Sequence, residues 1–278
     1  MFAFFANMFG YILNFIYELV KNYGLAIIIF SIIVKLVLLP MSIKQQKTLK
    51  KSTKLQAKLK ELQFKYKNNP EMLNKETMAL YKSENMSPFS GCFSSIIQII
   101  LLLSVFFLVQ SPLTYMRKVD STVVEDYKTQ LRQSQEESGG IRYPEIRIIK
   151  DYGSDDERVY INMQFLGLDL SLVPVSDLTD YRAYIIPALY VISSVVSMRL
   201  STNIKKKKKK EDGSETNEMD AINEANKNMA YIMPVMSVSI SLIAPLGLAL
   251  YWLVNNILNI SEKLILNKFL KTEGEEDE

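Results

Sequence analysis

The stretch Leu25-Ala-Ile-Ile-Ile-Phe-Ser-Ile-Ile-Val-Lys-Leu-Val-Leu-Leu-Pro-Met41 places one lysine, Lys35, inside an otherwise apolar run. A run of this length crosses a hydrocarbon core of ~30 Å as a helix. A lysine near the bilayer centre costs roughly 2.5–3.5 kcal/mol on insertion scales. Such a charge is kept where it snorkels to water, meets a partner, or acts on something that passes. Lys35 lies about seven residues before the end of the span, or ~10 Å by helix rise, so snorkelling alone also accounts for it.

Outward from this run the chain separates into blocks. Hydrophobic residues make up 48% of it and charged residues 23%, so the two kinds are segregated along the sequence. Apolar blocks recur over 92–113, 183–200, 229–244 and 246–266, the last two divided by Pro245, which forces a break between two spans. The reading is an all-α polytopic membrane protein with five transmembrane helices. The short flanks set the orientation. Segment 43–90 carries eleven lysines against four acids, 201–228 seven lysines against six acids, and 114–182 nine basic residues against thirteen acids. The first two are predicted to be cytoplasmic and the third external, with the N-terminus outside and the C-terminus inside.

The resulting order begins with an interfacial amphipathic helix over 1–22 and a first span over 23–42. A cytoplasmic helical hairpin (43–88), a second span (89–113) and an external segment (114–182) follow. Then come a third span (183–200), a cytoplasmic loop (201–228), spans four (229–244) and five (246–267), and an acidic cytoplasmic tail (268–278). Met1–Val20 lacks a basic start and a small-residue cleavage site, and so reads poorly as a signal peptide. Its Phe5, Phe9, Ile12, Leu13 and Ile16 fall at helical spacing between Asn7, Asn14, Glu18 and Lys21. A short sixth span is the alternative. In the hairpin, Leu55, Leu59, Leu62 and Tyr66 form one apolar stripe, and Leu73, Thr77, Leu80 and Tyr81 the facing one. Asn69 is predicted to cap the second arm, with Pro70 at its first position. A merely solvated, positive topology signal is the competing reading of this segment. The run Lys205–Lys210 reads first as a topology determinant, and otherwise as a site for anionic lipid or ribosomal RNA.

With no histidine and one cysteine, the chain lacks the commonest metal and acid–base residue and any internal disulfide. No paired carboxylates sit in the spans and no glycine-rich phosphate loop occurs. An enzyme is not predicted, and no cofactor or metal is expected.

Polar uncharged residues do enter the spans. Ser94 and Gln98 share a face of the second; Ser193, Ser194 and Ser197 lie in the third; Tyr251, Trp252, Asn255, Asn256 and Asn259 lie in the fifth. Isolated serines in membranes bond backbone or allow close packing. Gln98 and the asparagines are costlier, and with Lys35 they read as part of the lining of a hydrated cavity.

Four stretches in order carry a resemblance. They are Ile32-Ile-Val-Lys-Leu-Val-Leu-Leu-Pro40 with Gln45-Gln46-Lys47, and Ser87-Pro-Phe-Ser-Gly-Cys-Phe-Ser-Ser-Ile-Ile-Gln98. The others are Phe165-Leu-Gly-Leu-Asp-Leu-Ser171, and Met233-Pro234 followed by Pro245-Leu-Gly-Leu-Ala-Leu-Tyr-Trp-Leu-Val-Asn-Asn256. The chain resembles the YidC family of membrane protein insertases, related to the mitochondrial Oxa-type and chloroplast Alb-type proteins. The resemblance implies five spans around a hydrophilic groove open to the cytosol and to lipid, in a bacterial cell membrane. It implies nascent membrane proteins as clients, with the ribosome, the signal recognition particle machinery and the Sec translocon as further partners, and no nucleotide hydrolysis. The implied groove residues are Lys35, Ser94, Gln98, Tyr251, Trp252, Asn255 and Asn256; Lys58, Lys65 and Lys67 on the hairpin would contact clients or ribosome. Relatives usually hold arginine where Lys35 stands, so the charge is kept but the guanidinium fork is not. A small anion transporter or channel with Lys35 as binding charge is the rival. Against it stand the lack of inverted repeats and the odd number of spans.

Overall fold

The computed structural model describes residues 2–84, 90–134, 142–206 and 239–275. These are almost wholly helical. In order they are α1 (Phe2–Val20), α2 (Tyr23–Lys65), α3 (Pro70–Ser83), α4 (Ser90–Gln110), a π turn (Leu113–Arg117), α5 (Ser121–Ser134) and α6 (Pro144–Tyr152). A two-stranded hairpin, β1 (Gln164–Phe165) and β2 (Leu168–Asp169), precedes a 3-10 turn (Tyr181–Tyr184) and α7 (Ile185–Lys206). A helical segment over 239–243, α8, leads to α9 (Leu246–Glu275). Among the described residues, three stretches are long and apolar enough to cross a membrane: Phe2–Val20, Tyr23–Thr48 and Tyr181–Leu200. Ile99–Gln110 is a shorter apolar helix. Most of the predicted fourth span, the lysine run from Lys207 and the last three residues lie outside the described residues.

The chain divides into two compact units. One contains the second part of α2, α3 and the first part of α4, residues 34–104. Here α2 is a single 43-residue helix that passes through Pro40 without interruption. Proline removes one rung of the hydrogen-bond ladder, which membrane helices tolerate. The apolar run and the first arm of the charged hairpin are therefore parts of one continuous helix. The turn chemistry is as predicted: Asn69 Oδ1 accepts from the Met72 N–H at 3.1 Å, with Pro70 opening α3. Leu55 is buried, and the Lys58–Glu84 ion pair (2.5 Å) closes the base of the two arms. Both charges are largely exposed, so the pair contributes little to stability.

The other unit contains α1, the start of α2 and most of the chain after Val105. Its architecture follows from how the starts of α2 and α9 and the end of α1 are satisfied. α1 stops where Lys21 turns left-handed (φ 50°). Asn22 then caps α2, its Oδ1 accepting from the Leu25 N–H at 3.0 Å. Asn22 Nδ2 also donates to the Gln164 carbonyl at 2.6 Å. Asn162 grips the same corner: its N–H donates to the Tyr17 hydroxyl (2.9 Å) and its Nδ2 to the Lys21 carbonyl (3.0 Å), while its carbonyl accepts from the Tyr23 N–H (3.0 Å). The stretch Phe165–Asp169 belongs to the β1–β2 hairpin, with Phe165 packed on Gly24 so closely that a Cβ there would stand 2.4 Å from its ring.

The polar segment 114–182 is partly helical. α5 buries Val124 and Leu131; α6 buries Ile146, Ile148 and Ile149. Tyr127 on α5 stacks on Tyr152 at 4.8 Å and donates to Asp156 at 2.8 Å. α6 also buries Glu145, whose two oxygens accept from the Thr114 N–H (3.0 Å) and hydroxyl (2.6 Å). At Pro245 the chain breaks as predicted. α9 begins by donating its first amides, Leu246 N–H to the Leu172 carbonyl (2.9 Å) and Gly247 N–H to the Leu170 carbonyl (3.0 Å).

α1 docks through Gly10. A Cβ at that position would stand 1.9 Å from the Tyr115 carbonyl oxygen. Gly10→Ala is therefore expected to lower stability by about 1–3 kcal/mol, the usual range for overpacking, seen as a lower melting temperature in detergent. Burial pushes the Glu145 carboxyl above its ordinary value of 4.5, against the hydrogen bonds from Thr114. Its neutral form is favoured by folding, so the contribution is full below the ordinary value and is lost as pH rises through the raised one. Glu145→Gln should melt above the parent at pH 8 and converge with it near pH 4. Parallel melting curves across that range would contradict the assignment.

Candidate functional site

The polar residues of the fifth span fall on α9, and α7 is their neighbour. Asn256 Nδ2 donates to the Ser193 hydroxyl at 2.9 Å and the Ser194 hydroxyl at 3.1 Å. Ser193 in turn donates to the Tyr190 carbonyl at 2.8 Å. One turn towards the start of α9, the Trp252 ring lies 6.3 Å from the Tyr190 ring. Asn255 spends its amide on the Tyr251 carbonyl of its own helix, at 3.0 Å. Tyr251 is buried, whereas Trp252, Asn255 and Asn256 are half-buried. All four lie on α9, and of them Trp252 and Asn256 reach α7. Tyr190, Ser193 and Ser194 are the residues they meet there. Their signal in the sequence was the spacing i, i+3, i+4, and the serines were read there only as close packing.

Lys35 belongs to the unit of residues 34–104. On α2, Leu36 and Val37 are the most exposed apolar side chains of the run, at 62% and 70%. Lys35, one step round the helix, is half-buried. Ser94 and Gln98 lie on α4, and their side chains are outside the described residues. In the same helix Ser104 is wholly buried and donates to the Ile100 carbonyl at 2.7 Å.

The hairpin lysines are exposed. Lys58 pairs with Glu84, and Lys65 stands 5.2 Å from the ring of Tyr66. Lys67 is exposed in the turn between the arms. Phe64 and Met78 are also strongly exposed on this hairpin, at 84% and 61%, and neither was singled out from the sequence. Among the described residues, no group of three histidine, cysteine or acidic side chains could hold a metal ion.

The family described as 60Kd inner membrane protein matches residues 15–273. The chain is 29% identical over 262 residues to the membrane protein insertase YidC of Chlorobaculum tepidum, a match covering 94% of this chain and 35% of that protein. It is 25% identical over 261 residues to that of Treponema denticola, covering 94% of this chain and 37% of that protein. It therefore spans little more than a third of the length of these two relatives. With the membrane protein insertase YidC of Fusobacterium nucleatum it shares 26% identity over 259 residues, covering 93% of each. A match over nearly the whole chain, on an all-α polytopic frame, settles the lineage: the chain belongs to the 60Kd inner membrane protein family, whose relatives here are bacterial YidC insertases.

Proposed function

We propose that this protein inserts other membrane proteins into the bilayer through a hydrophilic groove open to the cytosol, without hydrolysing nucleotide. The observation that carries the reading is Lys35, a half-buried cation within the apolar run of α2 in a chain of this family. A client's short external segment, often acidic, enters from the cytosol and is attracted by the ammonium. Ser94, Gln98, Tyr251, Trp252, Asn255 and Asn256 replace part of the water it gives up. The client's apolar helix then passes along the lipid-facing side of the spans. Burial of ~20 apolar residues drives the step, and the membrane potential adds ~2.3 kcal/mol per charge per 100 mV.

The groove shortens the low-dielectric path that polar residues must cross. Two charges 4 Å apart interact by roughly 4 kcal/mol at an effective dielectric of 20. Reversal of the sign at Lys35 is thus a large change for an acidic client. Clients are nascent membrane proteins. The exposed Lys58, Lys65 and Lys67 of the hairpin receive them or the ribosome, the signal recognition particle machinery and the Sec translocon. α1 lies in the outer interface, with the N-terminus outside and the acidic tail in the cytosol. Its support is that Arg117, the last residue of the π turn, and Lys118 next to it reach Glu18 and Asn7, far apart along α1.

In a strain dependent on this protein, Lys35→Arg should sustain insertion of a client with an acidic external segment. Lys35→Glu should reduce it by about tenfold or more, ~1.4 kcal/mol. Equal insertion by the Glu variant would remove the electrostatic role. Asn256 separates two roles in one measurement. Interhelical hydrogen bonds in membranes average ~0.6 kcal/mol, so Asn256→Leu should cost about 1 kcal/mol in melting. In a Ser193→Ala, Ser194→Ala background the same change should cost almost nothing. A remaining loss of client crosslinking in that background would mark Asn256 as a client contact.

A further inference from the structure

The turn of the β1–β2 hairpin goes against ordinary residue choice. Its two central residues, Leu166 and Gly167, are both left-handed, with φ of 51° and 78°. Two-residue turns of this kind favour asparagine, aspartate or glycine at such positions. Gly167 conforms. A leucine at the first position is strained, because its Cβ crowds the following carbonyl. Packing within the chain does not compensate the strain, since the Leu166 side chain is 86% exposed. Among the described residues it is the most exposed large apolar side chain.

The course of the hairpin points to what covers it. Asn162 bonds to Lys21 and Tyr23, Gln164 to Asn22, and Phe165 packs on Gly24. As the chain advances towards the turn, its partners therefore advance along α2 in the direction of the apolar run. β2 lies beside the turn Tyr181–Tyr184, where the apolar stretch Tyr181–Leu200 begins. The hairpin thus sits where two spans start. Its chemistry is graded to match, with Gln164 and Asp169 paired at the base and Phe165 and Leu168 beside the turn. Asp169 is held at the base by the Ser171 N–H (2.9 Å) and hydroxyl (2.6 Å), which donate to its carboxylate. Positions 165–168 carry no charge. Moving a leucine side chain from water into hydrocarbon favours it by about ten- to a hundredfold, enough to offset one left-handed residue. The turn's own N–H and C=O groups oppose deeper entry, which sets the level just beneath the headgroups.

We propose that Leu166 is a membrane anchor. The hairpin tip enters the lipid leaflet at which the spans Tyr23–Thr48 and Tyr181–Leu200 begin, and the leucine is seated at the top of its acyl chains. The occupant is lipid rather than another protein, because the tip lies beside the starts of two spans that lipid already surrounds. The anchor needs only those spans in a bilayer and does not depend on insertion activity.

The test uses the full chain in vesicles of dioleoyl phosphatidylcholine, with Cys92→Ser to remove the single native thiol. Leu166→Cys then carries a nitrobenzoxadiazole label, and Glu157→Cys, at an exposed acid of the same segment, carries it as control. Both side chains are exposed, so folding should be kept, with helical circular dichroism equal to the parent's. Iodide on both faces should quench the label at position 166 about tenfold less than that at position 157. Lipids with a nitroxide near the headgroup should quench it more strongly than lipids with one near the chain end. Equal quenching by iodide at the two positions overturns the proposal. Protection from iodide without quenching by either lipid also overturns it, by assigning the tip to a protein contact.

Discussion

The junction at Pro245 depends on a few backbone hydrogen bonds made away from helices. Proline cannot continue the ladder of α8, and the first amides of α9 have no partner within their own helix. In a bilayer such groups cannot be left bare. The carbonyls of Leu170 and Leu172, just after the β1–β2 hairpin, accept them. The Val175 N–H returns the favour, donating to the Leu242 carbonyl at 3.1 Å. The same external segment, through Asn162 and Gln164, satisfies the corner between α1 and α2. A short irregular stretch thus serves the external starts of α2 and α9. Fold and packing in this unit follow from that one requirement.

Polar side chains within the spans answer the same requirement in another way. Ser31, Ser104 and Ser193 donate to carbonyls three or four residues back on their own helices. Asn256 instead reaches across to α7. The costly residues of the fifth span therefore divide by partner. Asn255 closes on its own helix and Asn256 on a neighbour.

What could be read before folding was whatever is written locally. The Asn69-Pro70 cap and the break at Pro245 each depend on residues within a turn or two of one another, and each stands in the structure. The helices of the external segment carried a local signal too. Val124, Tyr127 and Leu131 recur at i, i+3 and i+7, but the charges among them and the Gly139-Gly140 pair suggested a loop. Contacts distant in sequence left no such mark. Gly24 gives no hint of Phe165, nor Gly10 of the Tyr115 carbonyl, because a glycine admitting a close neighbour resembles one that merely bends. The candidate site is divided likewise. Lys35 and the asparagines declare themselves by their cost in lipid, while Tyr190 and the two serines gain meaning only once α7 lies beside α9.

One consequence of the Asn256 fork concerns rotation. Adjacent residues on a helix project about 100° apart, so Ser193 and Ser194 point in different directions round α7. A single hydroxyl gripped by Asn256 would let α7 swivel about its long axis. Two hydroxyls held by one amide fix its azimuth. Ile192, Val195 and Val196 are consequently kept outward together, and the helix can slide or tilt as a body without presenting a different side to the hydrocarbon.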